Sequence, residues 1–113
     1  MYKLIDTIKH EDFNFTKYLC ESDYYKFSVS VYDDGLNLFY LDTNKVYNKV
    51  FLPNLYIETD IRTDEFKYIS IQTTSYGDLN IEEVEKVIRG LEIAKAEAIC
   101  LTEFIRNKEW LNE

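Results

Sequence analysis

The sequence predicts an α+β domain: an antiparallel meander of four to five strands, a short N-terminal helical segment, and a long C-terminal helix packed on one sheet face. Two observations carry this. Between residues 24 and 74, apolar and polar residues alternate in short runs separated by turn formers. From Asn80 onward the apolar residues recur at spacings of three and four instead, so a run of strands is followed by a helix.

Residues 1–22 are the least patterned. Leu4, Ile5 and Ile8 fit one short helical face, and Phe13, Phe15, Tyr18 and Leu19 either continue a helix after an Asp12 cap or form an irregular strand. Helix is the preferred expectation here. From Tyr24 the period is two: Tyr25, Phe27, Val29 and Val31 point one way, and Tyr24, Lys26, Ser28, Ser30 and Tyr32 the other. Asp33-Asp34-Gly35 then predicts a tight hairpin turn, with the Asp-Gly pair taking positive backbone angles and the chain returning as Leu36 to Leu41. Asp42-Thr43-Asn44 marks a second turn, and strands are expected over Lys45–Leu52 and Leu55–Asp60, separated by Pro53-Asn54. A polar break at Arg62–Glu65 precedes the last strand, Phe66–Thr74, with Ile69 and Ile71 on its buried side.

The helix has a marked start. Asn80 can cap it and Glu83, three residues on, can reach back to complete a capping box, while Leu79 is placed to meet Val84 as a hydrophobic staple. Val84, Val87, Ile88, Leu91, Ala94, Ala98, Leu101 and Ile105 form one stripe, expected to cover the sheet. A second apolar line, Ile93, Ala96, Cys100, Phe104 and Leu111, lies on nearly the opposite side. A helix from Ile81 to Leu111 would be about 46 Å long at 1.5 Å per residue, against a diameter of roughly 35 Å for a compact domain of this size. Either the helix breaks, with Gly90 a candidate kink and Asn107 a candidate end, or its far half meets something else. Two covers for the second line stay open: the N-terminal segment, or a second chain in a homodimer through Ile93, Cys100, Phe104 and Leu111.

Composition narrows the function classes. At 113 residues the chain makes one domain without linker or repeat, and 46% hydrophobic content with 16% aromatics excludes a disordered chain. A formal charge of -8, from 21 acidic against 13 basic residues, opposes a grip on phosphate backbones and favours basic partners. Cys20 and Cys100 form no metal or redox motif and are expected to be buried thiols in a reducing cytoplasm. No signal-like opening and no membrane-length apolar run point to a soluble cytoplasmic protein, and the Asn14-Phe15-Thr16 sequon is then incidental. Abundant Ile, Lys, Asn and Tyr match an AT-rich coding sequence, such as that of a low-GC bacterium or its phage.

No catalytic signature is present. His10 is the sole histidine and no serine or cysteine stands in a nucleophile motif; Asp33-Asp34 is explained by its turn rather than by calcium, and the isolated Gly35, Gly77 and Gly90 cannot cradle a phosphate. No cofactor or metal is implied. Two surfaces are candidates for partner binding. The open sheet face would carry Tyr24, Tyr32, Tyr56 and Tyr68, because tyrosine gives contact area at low entropy cost; an exposed sheet clad in tyrosine for its strand propensity is the plainer reading. The acids Glu58, Asp60, Asp64 and Glu65, followed by Asp78, Glu82, Glu83 and Glu85, could imitate a phosphate backbone in a basic cleft, or simply solubilise loops and favour the helix start.

In size and charge the chain resembles small acidic phage and mobile-element proteins that act on host enzymes, anti-CRISPR inhibitors among them. That resemblance implies a non-enzymatic inhibitor or modulator of a basic nucleic-acid-handling enzyme. The order of strands then helix is similar to that of PC4-like transcription cofactors, which implies a dimer binding single-stranded nucleic acid, although only Lys26, Lys45, Lys49 and Lys67 are on the strands to contact phosphate. Size, acidity and a terminal amphipathic helix also fit an acidic secretion-type chaperone.

Overall fold

The computed structural model describes residues 1–43, 50–73 and 75–111. Strands β1 (Lys3–His10), β2 (Phe15–Glu21), β3 (Tyr25–Tyr32) and β4 (Asn37–Thr43) make an antiparallel meander in the order β1-β2-β3-β4. Strands β5 (Asn54–Thr59) and β6 (Phe66–Gln72) form a separate antiparallel pair, followed by helix α1 (Ile81–Arg106). The class is α+β, as the alternation and the helical period predict.

The N-terminal segment is the main departure, a β-hairpin in place of a helix. Two features hide it. Ile5 is an extra residue between the pairs Leu4↔Cys20 and Asp6↔Leu19, and such a bulge breaks the period of two. In β2, apolar groups stand on both faces: Tyr18 and Cys20 pair with Val29 and Phe27 on the core side, while Phe15 and Leu19 lie on the other. The turn between them is a short 3-10 segment, Glu11–Phe13, closed by Asn14 at φ 57°. Asparagine accepts that left-handed conformation more readily than most residues.

The β3–β4 hairpin forms at its expected place with a different turn. Gly35 alone takes a positive φ, 97°, its N–H donates to Tyr32 O at 3.0 Å, and the Tyr32 N–H donates to Leu36 O at 2.8 Å. This is a three-residue loop ending in a glycine bulge. Of the strand expected over 45–52, residues 45–49 lie outside the described residues, and Val50 to Leu52 are not strand.

Helix α1 begins as its sequence requires: Asn80 Oδ1 accepts from the Glu83 N–H at 2.8 Å and Glu83 Oε1 accepts from the Asn80 N–H at 3.2 Å. It runs for 26 residues, about 39 Å, and ends at Asn107, its C-cap. Lys108, at φ 47°, then turns the chain so that Trp110 enters the core. The molecule measures 51 × 29 × 24 Å.

The buried stripe on α1 runs between the two expected lines and draws on both: Ile93, Ala94, Leu101, Phe104 and Ile105 are all buried. Val84 and Ile88, expected to cover the sheet, are exposed instead. Against this stripe lie Tyr25, Phe27 and Val29 of β3 and Leu55 and Ile57 of β5, with Val31, Ile69 and Ile71 half-buried around them. The Phe104 ring meets Tyr2 at 5.8 Å, Phe27 edge-on at 5.8 Å and Trp110 at 6.0 Å, and Trp110 meets Phe39 at 6.3 Å.

Gly90 is a contact point within the continuous helix rather than a kink. Phe51 donates its N–H to the Lys86 carbonyl at 3.3 Å, which brings the chain before β5 directly onto the helix backbone. A Cβ at Gly90 would overlap the Phe51 carbonyl. In an ordinary helix interior, glycine to alanine gains up to about 1 kcal/mol. Here Gly90→Ala is expected to lose about 1–3 kcal/mol in urea denaturation, the cost of overpacking a rigid contact; a gain in stability would show that the 50–53 segment does not lie on the helix.

Candidate protein-binding surface

Directly paired residues in antiparallel strands share a face, so the register assigns each side chain. On the outer face of the four-stranded sheet, Lys3, Glu21, Lys26 and Asp42 stand opposite one another in a row across all four strands. Their signs alternate, which leaves no continuous cationic track there. At the other end of the sheet His10 stacks on Phe15 at 4.5 Å and Phe15 meets Tyr32 at 4.9 Å. His10 therefore sits at the opposite end of the β1–β2 pair from Cys20, and Cys100 lies on α1.

The expected tyrosine face is divided by the split between the sheets. Tyr56 and Tyr68, 50% and 55% exposed, share the outer face of the β5–β6 pair, where Glu58 stands opposite Tyr68. Tyr32 lies on the four-stranded sheet and is half-buried against Phe15. Tyr24 belongs to the β2–β3 turn and packs on the core. Its N–H donates to Ser22 Oγ at 3.2 Å, so it is a turn residue rather than part of the face. Two residues extend the surface beyond those foreseen: Tyr40, 65% exposed, and Leu38, both on the outer side of β4 and next to Tyr56 along one cavity. The pairs Ser28↔Tyr40 and Ser30↔Leu38 would have placed them there once the β3–β4 register was known.

The acids have unequal roles. Asp60 is engaged in its own turn: its carboxylate accepts from the Arg62 N–H at 2.8 Å and from the Arg62 guanidinium at 3.4 Å, which hold it below the usual carboxylate range. The Asp60 carbonyl also accepts from the Asp64 N–H at 2.7 Å, with Asp64 itself at φ 53°. Asp64 lines the cavity between β4 and β5, and Glu65 is exposed beside it. Glu83 is committed to the helix cap.

The residues expected at an oligomer interface do not form one surface. Ile93 and Phe104 are 6% and 5% exposed, within the core of their own chain, while Cys100 and Leu111 are exposed. Tyr2, ahead of β1, is the N-terminal residue that covers Phe104. Cys20 is buried as expected, whereas Cys100 faces solvent, and no disulfide joins them.

One buried polar cluster was not foreseen. The Glu97 carboxylate lies inside the α1 face with its Oε2 lacking a hydrogen-bond partner among the described residues, as does the Tyr2 hydroxyl that faces it. The Tyr25 hydroxyl donates to the Pro53 carbonyl at 2.5 Å. Burial, and then the negative charge of Glu97, push both phenols above their ordinary value of 10.0. Sequence offered no signal for this, because Glu97 reads as one more exposed helix acid until the buried stripe is located.

Among the described residues no three His, Cys, Asp or Glu side chains group as a metal site, and no helix is long and apolar enough to cross a membrane. No protein-family model, curated protein or solved structure matches this chain.

The phenols yield a pH prediction. Above pH 10 an unfolded tyrosine ionises while Tyr2 and Tyr25 keep their protons, so the stability present below pH 10 is lost as pH rises, by about 1.4 kcal/mol per pH unit for each residue. Urea titrations between pH 9 and about 11 should show this loss, and it should be smaller in Glu97→Gln, which keeps the shape and removes the charge facing both rings. A flat alkaline profile would mean that these phenols are not held in the core.

Proposed function

We infer that this chain is a non-enzymatic binding protein that inhibits or modulates a partner protein with a basic surface. The observation that carries this is the outer surface beside the sheet split, where Tyr40, Tyr56 and Tyr68 are more than half or about half exposed next to Glu58 and Asp64. Large rings at low entropy cost supply contact area. Neighbouring carboxylates, on a chain of formal charge -8, attract basic groups and accelerate the encounter. A basic nucleic-acid-handling enzyme, of the kind that anti-CRISPR proteins act on, has the matching charge. The single-strand-binding reading fits less well, since the lysines of the outer face are interleaved with acids.

Affinity capture from a low-GC bacterial lysate, with the immobilised protein beside its Tyr56→Ala/Tyr68→Ala variant, tests this reading. The expected result is a partner retained by the native protein at low salt and released by high salt. The double variant should retain at least about tenfold less, because two exposed aromatic contacts of 1 kcal/mol or more are removed. A partner held equally by both proteins, or indifferent to salt, would overturn it.

A further inference from the structure

Helix α1 carries a seam that the core does not use. Ile81, Glu85, Ile88, Glu92, Lys95 and Ile99 follow one another at spacings of four and three in strict alternation, the repeat of a two-stranded coiled coil. All six are exposed, with Ile81, Ile88 and Ile99 at 83%, 52% and 55%. At about 3.6 residues per turn, the seam lies on the side of the helix opposite the buried Gly90, Glu97 and Leu101. The sheets therefore hold one side of α1 and leave the other open to solvent over about 27 Å.

We propose that a second copy of this chain covers the seam, with the two α1 helices packed antiparallel about the level of Gly90. Residues equidistant from Gly90 then meet. Ile81 packs on Ile99 of the second copy, Glu85 on its Lys95, and Ile88 beside its Glu92. A two-fold axis repeats each contact once more. The same residues oppose a parallel pair, because it sets Glu85, Glu92 and Lys95 each against its own counterpart. Charged or polar residues in such a seam cost stability and fix orientation in return. Glu92 Oε2 has Arg89 Nη1 at 3.4 Å in its own chain, so its charge is already compensated where it lies beside Ile88.

The formal charge of -8 does not forbid this contact. Around the seam Glu85 and Glu92 are matched by Arg89 and Lys95. Exposed charges farther off than about 8 Å are largely screened at physiological ionic strength. A uniformly basic or uniformly acidic partner would meet like charge on this face, whereas a copy reversed end to end meets its complement. One helix pair is a small contact by the standard of stable interfaces, so the dimer is concentration-dependent. The outer face of the β5–β6 pair is not part of the seam, and the pairing leaves Tyr56 and Tyr68 of both copies exposed.

The test is sedimentation velocity on the full chain from micromolar to millimolar concentration, beside Ile88→Asp, Glu85→Lys and Lys95→Glu. These positions are exposed, and circular dichroism checks that each variant keeps its fold. The expected result is a dimer whose dissociation constant rises about tenfold or more in each variant, since every change strikes two symmetric contacts. Mixing Glu85→Lys with Lys95→Glu should then restore a dimer, because one copy supplies both lysines and the other both glutamates. A monomer at every concentration would overturn the proposal, and so would a dimer that the three variants leave intact. Weakening by the single variants with no recovery in the mixture would refute the antiparallel register.

Discussion

The aromatic contact of Phe104 and Trp110 with Phe27 and Phe39 holds helix α1 on the four-stranded sheet, and α1 in turn packs against the β5–β6 pair, which no backbone ladder joins to the first sheet among the described residues. A continuous sheet would bind β4 to β5 through main-chain hydrogen bonds that tolerate no gap. Here the join consists of side chains in one core: rings of β3, β4, the last turn of α1 and the chain beyond it, together with Leu55, Ile57, Ile69 and Ile71 of the β5–β6 pair. Apolar contact is non-directional, so it can keep two sheets in one core while leaving their facing edges unpaired. The reversal at Asn107 and Lys108 matters for that reason: it returns Trp110 to the sheet instead of letting the helix run out into solvent.

The helix acts as the common support, and its buried stripe contains two positions chosen for something other than apolar fit. Gly90 lets the chain before β5 lie against the helix backbone, which fixes where the second sheet begins. Glu97 places a carboxylate among Tyr2 and Tyr25 with one oxygen unpaired. A buried, incompletely paired acid is a cost to stability. Its setting, between the N-terminal residue and the strand that reaches Pro53, puts that cost where the two parts of the structure meet.

What was legible in the sequence follows from how local its cause is. The capping box at Asn80 and Glu83 and the turn at Asp33–Gly35 depend on neighbouring residues, and both were readable. The β1–β2 hairpin was not, because the Ile5 bulge and the two-faced apolar pattern of β2 remove the alternation that marks a strand. Trp110 carries no sequence signal, because it follows the helix break and is out of phase with every helical stripe. The same distinction governs the surface. Tyr56, Tyr68 and Glu58 belong to one hairpin, so their shared face could be read locally, whereas Tyr24 and Tyr32 were grouped with them on the premise of one unbroken sheet. The split that removed that premise is a tertiary event, and it also creates the gap lined by Tyr40, Tyr56 and Asp64.

Among the described residues side chains, and no main-chain ladder, close the split between the two sheets, so the account depends on the core those side chains build. The most direct test of that claim is the unfolding free energy of Trp110→Ala, measured in urea and followed by circular dichroism. If Trp110 and Phe104 hold α1 on the four-stranded sheet, the loss is about 3–5 kcal/mol, as for a large buried aromatic. A loss below about 1 kcal/mol, within the range of an ordinary surface substitution, would contradict the account.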